Sequence, residues 1–268
     1  MEKDKVNIAA EIGCNHMGNF DIALDMIKLA KEYCKVDIVK FQKRHLKEIE
    51  LTKNSRLPHP NEKNSFGDSY KEHREFLEFD IGQHMELKKY AESLDLIYSC
   101  SVWGIESAKE IISLKPKFIK IPSALNLNFP LLEFLCESYR GDIHLSLGMT
   151  KKEEETKIIK IFKKNNKLKN LVLYACTSGY PVKFEEVYLG EIKRLRSKYI
   201  REVKGIGFSG HHLGIAIDIA AITLGANWIE RHFTLDRTWK GTDQVASLEP
   251  DGMRKLVRDT INVQKSFE

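Results

Sequence analysis

No stretch of the chain approaches the roughly 20 consecutive apolar residues that a membrane-spanning helix needs, so no transmembrane segment is predicted. Cysteine is sparse. The five present, Cys14, Cys34, Cys100, Cys136 and Cys176, are odd in number, scattered and without C-x-x-C spacing, which speaks against a disulfide framework and a zinc knuckle and for a reducing cytoplasm. The opening MEKDKVNIAAEIG passes from charge straight into a strand-like pattern without the apolar core of a secretory signal, so a soluble, unprocessed chain is expected. Low-complexity tracts, linker-like runs and repeats beyond a strand–helix alternation are missing as well. Charge of a single sign is also lacking in most of the chain: the net charge is +5, but Lys and Arg interleave with Asp and Glu, as in KKEEETKIIK. Such a pattern describes a solvated helix face, speaks against nucleic-acid binding and leaves a modest bias toward small anions.

What is present suits a single α/β domain over 1–268. With 42% hydrophobic and 30% charged residues, the chain can bury a substantial core and does not have the composition of a disordered protein. Short β-branched or apolar runs predict strands at 6–13, 37–42, 96–103, 118–123, 142–148, 171–177, 205–210 and 228–234. Helix-period stretches such as FDIALDMIKLAKEY and GIESAKEIISLK separate them, and a last helix is expected near 250–267. Eight such alternations predict a (β/α)8 TIM barrel rather than an open sheet. One connection is anomalous: residues 43–79 are polar, carry prolines, aromatics and basic residues, and are expected to form a long βα loop acting as a lid.

In a parallel barrel the C-terminal strand ends converge on one face, so the chemistry should be carried there. Glu11 interrupts an apolar strand, where a carboxylate is costly unless paired or coordinated. The nearby Asn15–Asn19 cluster reads equally as site or as the cap of the first helix. Lys40 and Gln42 share a facing on the second strand and Lys120 lies in the fourth. Buried lysines call for an anion, and with the hydroxyls of Ser101, Ser123 and Ser209 they would form a pocket for a phosphate and a carboxylate. His211 and His232 end consecutive strands, a spacing suited to a two-imidazole site for Mn, Fe, Co or Zn with Glu11 and Asp243 available. His212 faces elsewhere and is expected to support its neighbour or start a helix.

The segments AEIGCNHMGN, VKFQ, KIPS, LSLGM, CTSGYP, GFSGHHLGIAIDIAAITLGANWIERHFTLDR and KGTDQVASLEP resemble, in order and spacing, the sialic acid synthases of the NeuB type. The resemblance implies a transferase that condenses phosphoenolpyruvate with an aldose, giving a sialic-acid-like 3-deoxy-ulosonic acid and phosphate for surface polysaccharides. It implies that Lys40, Ser101, Lys120, Ser123, Ser178 and Ser209, with Ser146 beside them, cradle phosphoenolpyruvate, and that His211 and His232 hold a divalent metal, manganese ahead of magnesium, cobalt or zinc. Glu11 would handle the proton of a water or hydroxyl, while Gln42, Tyr180 and Asp243 would contact the acceptor sugar. A homodimer is the expected assembly, with no membrane or nucleic-acid partner. Two departures bear on the acceptor: Leu125 stands where the family places a glutamate, and the chain stops at Glu268 without the family's usual antifreeze-like (SAF) domain and its arginine. The segment with His59, Lys63, Tyr70, His73 and Arg74 would take over that arginine's role or simply be solvated. A metal-dependent sugar aldolase or isomerase, and a sugar-binding relic without catalysis, are the alternatives; two buried lysines have no use in isomerising a neutral sugar.

Overall fold

The computed structural model describes residues 5–267. Within them eight parallel strands close into a barrel in sequence order: β1 (Asn7–Gly13), β2 (Ile38–Lys43), β3 (Ile97–Val102), β4 (Phe118–Ile121), β5 (Asp142–Ser146), β6 (Leu171–Cys176), β7 (Gly205–Gly210) and β8 (Trp228–His232). β8 pairs back onto β1, setting Ala9 beside Glu230 and Glu11 beside His232. The expected TIM barrel is therefore present. Several strands stop short of their expected ends. β4 ends at Ile121 because Pro122 has no N–H for the ladder, and β8 ends at His232, where the chain turns over the barrel mouth.

The outer layer holds α1 (Phe20–Glu32), α4 (Ile81–Ser93), α5 (Ile105–Ser113), α6 (Phe129–Ser138), α7 (Lys152–Lys164), α8 (Gly190–Tyr199), α9 (Ala216–Thr223) and α10 (Pro250–Lys265). Residues 43–79 are not the plain loop expected. They contain α2 (Leu46–Glu50) and α3 (Tyr70–Leu77), the latter fixed by a capping box in which Ser69 and Glu72 satisfy each other's backbone N–H groups. None of these helices is long and apolar enough to cross a membrane.

Strand alternation divides the interior in two. Outward-facing Ala10, Ile12, Val39, Phe41 and Ile119 join the helices in one large annular core, where each fully buried aliphatic side chain contributes about 1.5–3 kcal/mol. Inward-facing Ala9, Ile38 and Phe118 form a small separate cluster at the barrel floor. Above it His144 stacks on Phe118 with ring centroids 3.9 Å apart, meets Trp228 edge-on at 4.6 Å and bonds the Tyr174 hydroxyl at 2.9 Å. Gly207 makes room for this layer: a Cβ there would lie 2.5 Å from the Tyr174 ring. The aromatic layer is the platform on which the site is built.

Candidate active site

Directly on that platform, Lys120 Nζ lies 3.5 Å above the centre of the Tyr174 ring. Its partner is Glu230 at 3.0 Å, which also accepts from Ser209 Oγ at 3.2 Å and lies 3.8 Å from Lys40 Nζ. Lys40 in turn meets Glu11 at 2.5 Å and donates to Ser101 Oγ at 2.6 Å, and Gln42 Nε2 donates to Glu11 at 3.0 Å. Two ammonium groups and two carboxyls thus alternate across the mouth, all buried. The lysines need a counter-ion, as the sequence predicts, but the chain already supplies it as carboxylate. Burial opposes the charge on Glu230, yet Lys120 and Lys40 outweigh it and hold this carboxyl well below the ordinary range. Burial dominates at Glu11, which Lys40 and the hydrogen bond from Gln42 offset only in part, and its pKa is pushed up to about 7.

Glu230 escapes a reading of the sequence alone. The signal is the one that exposes Glu11, a carboxylate inside an apolar strand, and it sits two residues before His232 on the same facing.

One cleft of about 210 Å³ is lined by Glu11, Lys40, Gln42, Ser101, Lys120 and Ser123 from β1 to β4, and by Ser146, Ser178, Tyr180, Ser209, His211 and His232 from β5 to β8. Trp103, Met149 and Cys176 join them without having been anticipated. On one side the Ser123 and Ser178 hydroxyls converge on Gly148, where a Cβ would lie 2.6 Å and 2.9 Å from their oxygens. The missing side chain leaves a hydroxyl-lined recess. Asp243 stands apart in an adjoining lobe of about 150 Å³ that shares Gln42, Trp103, Tyr180 and His232 with the first.

The two strand-end histidines meet at this junction, with ring centroids 5.4 Å apart. His211 Nδ1 is committed to the Thr177 carbonyl at 2.9 Å, which leaves Nε2 available. His232 Nδ1 is buried without a hydrogen-bond partner, 3.8 Å from Asp243 Oδ2. Burial keeps His232 neutral, its pKa lowered to about 4, and neutral imidazole is the metal-binding form. Burial opposes the charge on His211 as well, but contacts with Cys176 and the Thr177 carbonyl outweigh it and raise its pKa, so the two imidazoles suit a divalent ion once His211 has given up its proton. Among the described residues no group of three or more His, Cys, Asp and Glu side chains is gathered for metal binding.

The surrounding residues support this arrangement from behind. His212 points away from the cleft into a buried cluster where Arg231 bonds its carbonyl, its ring, the Gly214 carbonyl at 2.8 Å and Asp218. Of the cluster near β1, Asn19 caps α1 through Ile22 N. Asn15 spends its amide on Phe233 O at 2.8 Å and Ser247 Oγ at 2.9 Å, and His16 stacks on Phe79. Asn15 and His16 thus tie the loop after β1 to neighbouring segments.

A family model described as the NeuB family matches residues 26–268. The chain belongs to the NeuB family. This NeuB chain is 39% identical over 260 residues to N-acetylneuraminate-9-phosphate synthase of Homo sapiens, covering 97% of the chain and 70% of that protein. It is 34% identical over 264 residues to N,N'-diacetyllegionaminic acid synthase of Campylobacter jejuni, covering 98% and 78%. Among solved structures it resembles N-acetylneuraminic acid (sialic acid) synthetase from Leptospira borgpetersenii in complex with citrate, with a TM-score of 0.85, 30% identity and coverage of 99% and 86%. A truncated 3-deoxy-D-arabino-heptulosonate 7-phosphate synthase from Thermotoga maritima, at 15% identity and a TM-score of 0.71, shares the fold.

Proposed function

We propose that this chain is a transferase that condenses phosphoenolpyruvate with the open-chain form of an aldose to give a sialic-acid-like 3-deoxy-ulosonic acid and inorganic phosphate. The observation that carries the reading is the buried pair Lys40 and Lys120 facing the recess of Ser123, Ser178 and Gly148. Such a floor suits a donor with both carboxylate and phosphate. C3 of the donor bonds to the aldehyde carbon, whose oxygen takes a proton and becomes a hydroxyl. Water adds at C2, and phosphate leaves with the C2–O bond as the keto group forms.

Each residue has a defined task. Lys40 and Lys120 hold the donor's charge as it moves toward the leaving phosphate, with Ser101, Ser146 and Ser209 completing the polar wall. Glu11, raised to about 7, exchanges the proton of the water or the new hydroxyl. A divalent ion held by His211 and His232, manganese first, would polarise the aldehyde oxygen when bound. Gln42, Tyr180, Asp243 and the 43–79 segment contact the acceptor, the last closing over it as a lid. The relatives' names include both a 9-phosphate and an unphosphorylated diacetyl sugar acid, so this reading extends to an aldose and leaves its substituents to the acceptor lobe. We place the enzyme in the cytoplasm, as a homodimer.

The test is release of inorganic phosphate from phosphoenolpyruvate with manganese across a panel of aldoses, read together with product mass. Aldose-dependent phosphate and a product heavier than the aldose by pyruvate are expected. Interconversion of aldoses without donor consumption would replace the proposal with an isomerase.

A further inference from the structure

Two groups of different kinds hold Lys120. On one side it pairs with the Glu230 carboxylate at 3.0 Å, and on the other the Tyr174 ring lies with its centre 3.5 Å from Nζ. Lys40 relies instead on Glu11, Glu230 and Ser101. The two lysines differ accordingly. Burial and the nearby Lys40 pull the Lys120 pKa down and Glu230 restores only part of it, whereas at Lys40 burial is outweighed by Glu11 and Glu230 and the pKa rises.

The ring under Lys120 is fixed with some care. Tyr174 is on β6, and its hydroxyl shares a hydrogen bond of 2.9 Å with His144 Nδ1. On the neighbouring β7, Gly207 leaves the volume that the ring occupies, since a Cβ would lie 2.5 Å from it. His144 is fully buried against Phe118 and Trp228, and its Nε2 has no hydrogen-bond partner. A buried imidazole with one orphaned nitrogen is a costly way to pack a floor that leucine or valine could fill. Burial, and Lys120 after it, keep that imidazole uncharged, so no positive charge beneath the ring works against the ammonium above it.

The two partners of Lys120 respond differently to an anionic donor. A carboxylate competes with the donor for the same ammonium hydrogens and repels it. An aromatic face attracts the cation through its quadrupole and carries no net charge, and Tyr174 lies beneath the cleft, outside its lining. The ring can keep its hold on Nζ while Glu230 is exchanged for the donor. We propose that Tyr174, anchored by His144, is a positioning residue for the donor, its ring face holding the Lys120 ammonium at the base of the cleft when the donor displaces Glu230. The inference rests on the synthase reading for the identity of that donor, phosphoenolpyruvate, and gives Tyr174 no contact with either substrate.

The experiment compares the wild type, Tyr174→Phe and a chain with trifluorophenylalanine at position 174. Phosphoenolpyruvate binding is measured by calorimetry without aldose, and the Michaelis constants for both substrates by phosphate release. Phenylalanine retains an attractive face, so Tyr174→Phe should keep a donor affinity close to that of the wild type although His144 loses its bond. Fluorination preserves the shape of the ring and draws electron density from its face. Donor affinity should therefore fall roughly 3- to 30-fold below that of Tyr174→Phe, the range of a buried cation–π contact, with the acceptor constant unmoved. In a Lys120→Ala background the plain and fluorinated rings should bind the donor alike, because the coupled partner is gone. Equal donor affinity for the two rings with Lys120 present, or a loss on fluorination that persists without it, would overturn the proposal. Donor binding that follows the ring in a chain releasing no phosphate with any aldose would uphold the role of Tyr174 and overturn the synthase reading. A wild type that binds no phosphoenolpyruvate would overturn both.

Discussion

A buried lysine is stable only with a counter-charge, and Lys40 and Lys120 share theirs through Glu230. Because a bound donor has to take over contacts now made by carboxylates, losing one ammonium group should fall mainly on donor affinity. Lys120→Ala is expected to raise the Michaelis constant for phosphoenolpyruvate roughly 10- to 100-fold, with a small effect on that for the acceptor. Lys40→Ala should behave alike, and an unchanged donor constant in both would remove the lysines from the donor site. At this scale the sequence was readable wherever one polar residue broke an apolar run, as Glu11 does in NIAAEIG. Glu230 was hidden for a physical reason: in Glu230-Arg231-His232 three polar residues follow one another, and only the register with β1 decides that the first and third face inward while Arg231 goes under the helices.

Among the elements, the strands of the barrel were legible because parallel strands covered on both faces are near-continuous apolar runs. α2 and α3 were not, since a five-residue and an eight-residue helix with mixed charge have too few turns to show a periodicity; the Ser69–Glu72 cap was the available sign. Removing residues 58–70 should raise the acceptor constant and leave that for phosphoenolpyruvate nearly unchanged, because the segment's Phe66 borders the acceptor lobe and not the donor cleft. Acceptor kinetics untouched by the deletion would show that specificity lies elsewhere. A second element-scale contact joins α7 to α8. Glu155 accepts from Tyr199 at 2.6 Å and Lys198 at 3.0 Å and pairs with Arg194. Burial works to raise its pKa, but hydrogen bonds from Arg194, Tyr199 and Lys198 outweigh it and hold the carboxyl below the ordinary glutamate value. A depressed carboxylate contributes stability that is complete above the unfolded value of about 4.3 and is lost as pH falls through the lower folded value. Melting curves of the wild type should therefore converge on those of Glu155→Gln as pH is lowered from about 5 to 3; a constant offset across that range would argue against the linkage.

For the molecule as a whole, barrel closure and metal chemistry should separate. Backbone pairing and the annular apolar core hold the described strands around the ring, so chelation, His211→Ala or His232→Ala should abolish turnover while melting shifts by only a few degrees, about what 1 kcal/mol does in a chain of this size. Full activity in the double variant would exclude the two-histidine site, and collapse of the fold on chelation would make the ion structural instead. Closure of the ring also sets a timetable for synthesis. β1 leaves the ribosome before the other strands of the barrel, yet one of its two edges is completed only by β8, more than two hundred residues later. Throughout translation a row of unpaired backbone groups on β1 stays open to wrong partners, and the half-site carried by Glu11 has no His232 beside it. Slowing elongation ahead of β8 should therefore lengthen the interval in which the nascent chain depends on chaperones, a cost that an open sheet with β1 at its centre would not incur.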